Sequence, residues 1–144
     1  MKPDDWVYEA ERSVHMKRYP VRVTEPQEYF DYVVGTRWFR ARWSAKRIQK
    51  VVVKPSNHAC AWSDFNKNMI YVPPWASNDY TLLHEVAHMC AYTVDHGPRF
   101  LAIQLALVER YMGREVASCY RHALQAYGIE IGPKVKPSQR PSPK

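Results

Sequence analysis

Residues 81–100, TLLHEVAHMCAYTVDHGPRF, hold three of the chain's six histidines and one glutamate. His84 and His88 are four positions apart, so on a helix their imidazoles lie on one face, one turn apart, as two ligands of a single ion require. Glu85 stands about 100° further round, able to reach a water at that ion without taking a ligand position. Leu82, Leu83, Val86 and Ala87 interleave with these polar residues and would anchor such a helix in a core. The same spacing can arise on any amphipathic helix that happens to contain histidine. The setting favours a metal, because the run falls in a helix of suitable length that follows strand-like segments.

The chemistry that this pattern serves is specific. Three protein ligands on zinc leave a fourth position for water, whose pKa falls to about 7, and a neighbouring carboxylate can take the proton as the water attacks a carbonyl. Nitrogen donors also suit other divalent ions, so zinc is expected from the motif and from availability. Two residues compete to be the third ligand. His96 lies just where Gly97-Pro98 allows the chain to turn back, and it is the preferred candidate; Glu109, on the next helix, is its rival.

Outward from this stretch, Ser77, Asn78 and Asp79 offer N-caps for a metal helix running from about Asp79 to Val94. A second helix reaches Met112, and a third, Arg114 to Tyr127, lies between Gly113 and Gly128. Upstream, QKVVVK (49–54), His58 to Phe65 and Met69 to Val72 predict three short strands, with Asn66-Lys67-Asn68 as a hairpin turn. Met69 to Val72 is either an ordinary core strand or the sheet edge that an extended peptide would pair with beside the metal. Residues 4–16 predict an amphipathic helix, and Pro26 in a first turn predicts another that ends near Gly35. The basic run from Arg37 to Arg47 fits helix and loop equally well.

Composition sets the frame. A chain of 144 residues with 46% hydrophobic and 24% charged residues is expected to form one globular domain, over 1–132. Residues 133–144, PKVKPSQRPSPK, are expected to be a disordered basic tail. No signal-like segment or apolar run of spanning length is visible, so the expected location is cytoplasmic, without a membrane partner. Cys60, Cys90 and Cys119 have no close pairing and are read as buried thiols in a reducing compartment.

HEVAH followed by HGPRF resembles the SprT-like metalloproteases, Spartan among them, a zincin family. That resemblance spans roughly Tyr71 to Gly113 and implies that His84, His88 and His96 bind zinc and that Glu85 is the catalytic acid/base. The segments VYEAE (7–11), GTRWF (35–39), VPPWA (72–76), LLHEVAH (82–88), LVERYMG (107–113) and AYGIEI (126–131) are similar to a family of proteins of actinobacteria and their phages, assigned as metallohydrolases from the motif. This second likeness covers most of residues 6–131 and leaves the substrate open. Two departures matter. No paired-cysteine motif follows Gly113, so a zinc ribbon and DNA-dependent proteolysis do not carry over, and Ala91 stands where the metzincin pattern needs glycine.

The net charge of +7 is local: Arg37 to Lys54 carries seven Lys/Arg and no acid. Arg37, Arg40, Arg42, Lys46, Arg47 and Lys50, interleaved with Trp38, Phe39 and Trp43, form either a nucleic-acid surface or a solvated face over core aromatics. Tyr71, Tyr80 and Tyr92 are candidates to stabilise an oxyanion, and Asp95 to orient a ligand histidine, although packing and exposure are the commoner fates of such residues. His15, His58 and His122 lack ligand spacing and are read as structural. The expectation is therefore an α+β zincin-like fold that hydrolyses peptide bonds in a protein or peptide substrate, with Zn2+ as cofactor. The alternative is a nucleic-acid-binding protein with a structural zinc, completed by Cys90 or Glu109.

Overall fold

The computed structural model describes residues 3–15 and 20–138. In chain order the elements are α1 (Pro3–His15), α2 (Pro26–Gly35), α3 (Arg37–Arg40), α4 (Lys46–Gln49), β1 (Val52–Pro55), β2 (Trp62–Asp64), β3 (Met69–Val72), a 3-10 turn (Pro74–Ala76), α5 (Asp79–Ala91), α6 (Pro98–Tyr111) and α7 (Arg114–Ala126). The class is α+β. Among the described residues no helix is long and apolar enough to cross a membrane.

Local chemistry explains where the helices start and stop. Pro26 and Pro98 occupy first-turn positions, where a missing N–H costs nothing. Asn78 caps α5 by accepting the Thr81 N–H at 2.8 Å. Thr36 accepts the Phe39 N–H and donates its hydroxyl to the Val33 carbonyl, so one side chain serves both the end of α2 and the start of α3. α5 ends at Tyr92, whose φ of 55° is left-handed and whose N–H returns to the His88 carbonyl. A non-glycine residue there carries strain of about 1–2 kcal/mol. The Tyr92 ring offsets it by stacking on Phe65, and the Arg47 guanidinium lies over the same ring at 4.3 Å.

The sheet order is β1-β3-β2, with β1 parallel and β2 antiparallel to β3. Trp62 pairs with Tyr71 and Asp64 with Met69, across a turn in which Asn68 takes a left-handed φ of 54°. β3 is thus central, which excludes the cleft-edge role considered for Met69 to Val72. Its Ile70 and Val72 are buried. β1 and β2 are the two edge strands, and among the described residues no strand pairs with the outer side of β2, the edge that carries Ser63.

α5 runs through the middle of the core with Leu82, Leu83, Val86, Ala87 and Met89 fully enclosed. It packs on α6, α6 on α7, and α7 on α1, while the sheet and α2 close the other side. The ambiguous basic run resolves into two helical turns. Phe39 and Ile48 are buried there, and Gln49, expected in a strand, instead donates to the Val34 carbonyl at 2.7 Å.

The chain beyond α7 departs from the expected disordered tail over 133–138. Gly132 N–H donates to the Pro98 carbonyl at 2.9 Å and Ser138 N–H to the Ala41 carbonyl at 2.8 Å, while Val135 packs on the core. Two backbone anchors and one apolar contact hold this stretch against the body despite its prolines. Residues 139–144 lie outside the described residues.

Candidate metal centre

α5 projects His84 and His88 from successive turns, and the reversal after Tyr92 carries His96 back against them. His84 Nε2 is 3.2 Å from His88 Nε2 and 3.2 Å from His96 Nε2. Two nitrogens that share one zinc at about 2.05 Å and tetrahedral angles stand roughly 3.3 Å apart, so the spacing fits a three-nitrogen site. Among the described residues this is the cluster whose donor atoms, within 4.8 Å of one another, could hold an ion. Glu109 is elsewhere, lining a cavity with Arg110 and Arg114. Cys90 is buried with its thiol pKa pushed up by that burial, and it does not join the cluster.

The outer ring nitrogens determine which tautomers face the centre. His88 Nδ1 lies 2.8 Å from the Thr93 carbonyl, which can only accept, so Nδ1 carries the proton and the Nε2 lone pair points at the cluster. Burial, then the His84 charge, push the His88 pKa down to about 3. His84 Nδ1 faces Gln104 at 2.8 Å and the Glu11 carboxylate at 3.4 Å. Burial alone would raise Glu11, but the His84 charge and hydrogen bonds from His84 and Tyr80 outweigh it and hold the carboxyl below its ordinary range. Burial likewise opposes a charge on His84, and Glu11 overcomes it, so the His84 pKa is raised.

Gln104 is fully buried at the hub of this network. With its amide nitrogen toward His84 and Tyr80, its oxygen accepts from the Tyr120 hydroxyl at 3.0 Å. Turned by 180°, the oxygen accepts from His84 Nδ1 and from Tyr80, whose single proton then leaves Glu11, while the nitrogen donates to Tyr120 and Tyr120 donates to Glu11 in its place. Only the second arrangement leaves His84 Nε2 free of a proton, as metal ligation requires. Phe100 forms the floor, stacked on His88 at 4.3 Å and set edge-on to His84 and His96.

Glu85, next to the imidazoles and nearly inaccessible, accepts the Ser63 hydroxyl of β2 at 2.8 Å. Burial raises its pKa, and the His84 charge and the Ser63 bond only partly offset this. A cleft of about 250 Å³ opens over the imidazoles and Glu85, walled by Trp62, Phe65 and Tyr8. Tyr8, from α1, meets His96 edge-on. Tyr8 is not one of the three tyrosines that the sequence puts forward, and those three do not line this cleft: Tyr80 is in the buried network, Tyr71 stacks on Trp62 and Tyr92 on Phe65. Asp95 accepts from the Gly97 N–H and the Thr93 hydroxyl and so shapes the turn that brings His96 to the cluster.

Sequence reasoning missed Glu11, Ser63, Gln104 and Tyr120. Gln104 alone carried a signal, as an amide at a core-facing position of an apolar helix. Within the basic segment, Arg47 donates to the Met89 carbonyl and Arg42 lies over Trp38, while Arg37, Arg40, Lys46 and Lys50 are exposed. His58 sits edge-on to Trp62, and the His15 side chain lies outside the described residues.

No family model and no curated protein matches the chain. Among solved structures it is similar to the metallopeptidase zymogen of Methanocaldococcus jannaschii jannalysin at 13% identity and to that of Pyrococcus abyssi abylysin at 18%. Each alignment covers 90% of this chain and 99% of the other, with a TM-score of 0.34. At that score the likeness lends no weight to a function, which has to rest on the site itself.

Proposed function

We propose that the chain is a zinc-dependent metallopeptidase of SprT-like type, in which His84, His88 and His96 hold the metal and Glu85 is the general base. The observation that carries this reading is the convergence of three Nε2 atoms beside a buried carboxylate at the bottom of an open cleft. Bound zinc supplies a Lewis acid that polarises a carbonyl and lowers the pKa of water. Glu85 takes the proton of the attacking water and returns it to the leaving amine, and a carboxyl raised by burial is suited to both transfers. Ser63 fixes the carboxylate toward the cleft, and His88 and His84 are held by Thr93 and by the Glu11–Gln104 network. The outer side of β2 offers backbone groups to an extended peptide, which would pair as an added strand and bring its scissile bond to Glu85. The likeness of HEVAH and HGPRF to SprT-like enzymes, and of the longer segments to the actinobacterial and phage family, agrees with this reading.

The test pairs elemental analysis of the purified protein with hydrolysis of a peptide library. One zinc per chain, lost in His96→Ala and kept in Glu109→Ala, together with cleavage abolished in Glu85→Gln, is the expected result. A chain that takes up no metal on reconstitution, or that cleaves equally well as Glu85→Gln, would overturn the proposal.

A further inference from the structure

A second cavity, of about 420 Å³, opens on the far face of α6. Ala102, Ala106 and Glu109 line it, and Ala102 and Ala106 stand roughly 200° round the helix from Phe100 and Gln104, which face the imidazoles. The cavity and the metal cleft share no lining residue. Arg42, Arg110, Arg114, Arg121 and Lys134 all line it, five cations against the single carboxylate of Glu109. Among the described residues none of the five makes an ion pair.

These cations line one concavity, with Arg42 half-buried and Arg110, Arg114, Arg121 and Lys134 exposed around it, whereas Arg37, Arg40, Lys46 and Lys50 are exposed without lining it. Trp38 at its wall carries the Arg42 guanidinium over its ring at 4.4 Å and that of Arg110 at 5.7 Å, and the Trp38 carbonyl accepts one Arg42 N–H at 3.0 Å, so both groups are positioned with most of their donors left over. Trp43 and Tyr111 hold the indole edge-on. The like charges are close enough that, after burial, Arg110 is the next cause of a lowered Arg42 pKa. The remaining wall is the stretch from Ile131 to Val135, which delivers Lys134. It lies so close to α6 that a Cβ at Gly132 would meet the Pro98 carbonyl oxygen at 2.8 Å. Side chains gathered from the segment after α3, from α6, from α7 and from the terminal stretch thus face one space with their charge uncompensated.

Guanidinium forks match phosphate oxygens in pairs, and a cavity of this volume is in the range of small-molecule sites, roughly 300–1,000 Å³. Trp38 is already covered by guanidinium groups, so recognition falls to the charged oxygens of the ligand and not to a stacked base. We propose that this cavity binds a polyphosphate group, carried by a free nucleotide or by the phosphorylated end of a nucleic-acid strand. The site is independent of the metal cleft and of the reading given to it.

The test is calorimetric titration of the full chain at about 150 mM salt, with inorganic tripolyphosphate, ATP and a 5′-phosphorylated single-stranded oligonucleotide as probes. Tripolyphosphate is expected to bind once per chain and to weaken roughly tenfold or more in Arg114→Glu/Arg121→Glu, whose positions are exposed and tolerant of charge. Gly132→Ala, which displaces the wall while keeping every charge, is expected to weaken it as well. Arg37→Glu/Arg40→Glu, which removes the same charge outside the cavity, is expected to leave binding nearly intact. Preference for ATP over the oligonucleotide assigns the group to a free nucleotide, and the reverse order assigns it to a strand end. Absence of saturable tripolyphosphate binding would overturn the proposal. So would an equal loss in the two double variants, which would make the effect one of net charge. Binding indifferent to Arg114→Glu/Arg121→Glu would place the anion at the metal and overturn it too.

Discussion

The Ser63 hydroxyl donates to Glu85 Oε1 across 2.8 Å, joining an edge strand of the sheet to the carboxylate beside the imidazoles. Position of the base and exposure of the strand edge are therefore coupled through one hydrogen bond. That bond also lowers the Glu85 pKa against the larger upward effect of burial. In Ser63→Ala the Glu85 pKa rises further, so the acid limb of kcat/KM for peptide hydrolysis shifts to higher pH and kcat at neutral pH falls by about tenfold. A rate profile with an unmoved acid limb would show that Ser63 acts only in packing.

Glu11 faces His84 Nδ1 from α1, as a carboxylate does behind many metal-bound imidazoles. Glu11→Gln keeps the shape and removes the charge, and zinc affinity is expected to fall roughly 10- to 100-fold. Competition with a chelator of known strength measures it. An unchanged affinity would assign the Glu11 contact to folding alone.

In the metal-free chain the buried groups of the centre act in different pH windows, and Glu85, raised above 4.5 by burial, adds stability as pH falls through its own pKa and so opposes part of the His88 loss. His88 is pushed down to about 3 from 6.5, so the unfolded chain binds the extra proton between those values; its contribution is present above pH 6.5 and is lost as pH falls below it. Glu11, also lowered, loses its contribution as pH falls below 4.5, while His84, raised above 6.5, loses its own only as pH rises. Calorimetric Tm in chelator should therefore drop between pH 6.5 and pH 4. In His88→Gln that slope flattens.

Tyr92 combines a left-handed backbone with a stacked ring. Tyr92→Gly relieves about 1–2 kcal/mol of strain and forfeits ring contacts of similar worth, so urea unfolding should change little. Tyr92→Ala keeps the strain and loses the contacts, and is expected to cost about 1–2 kcal/mol. Equal stability of the two variants would mean that the ring contacts and not the backbone set the cost.

What could be read in the sequence was local. The i, i+4 pair His84 and His88, the cap at Asn78, the breaks at Gly97-Pro98 and Gly113, and Pro26 in a first turn each act within a few residues, and each marked its element. Sheet order is not local: β3 reads as apolar whether central or at an edge, and only its pairing with both β1 and β2 shows which. Glu11 carried no mark of its place, because nothing in residues 3–15 announces that Tyr120, 109 positions away, will meet it. The packed stretch 133–138 was obscured by its prolines, which signal the absence of helix and strand but not the absence of contacts.

The Glu11–Tyr120 contact also bears on what a shortened chain would keep. His84, His88, His96 and Glu85 all lie before α7, whereas the hydroxyl that reaches Glu11 comes from α7 itself. A chain cut after α6 therefore retains the whole donor set and loses a partner of the carboxylate that faces His84 Nδ1. The donors and the last of the groups behind them belong to separable lengths of the polypeptide.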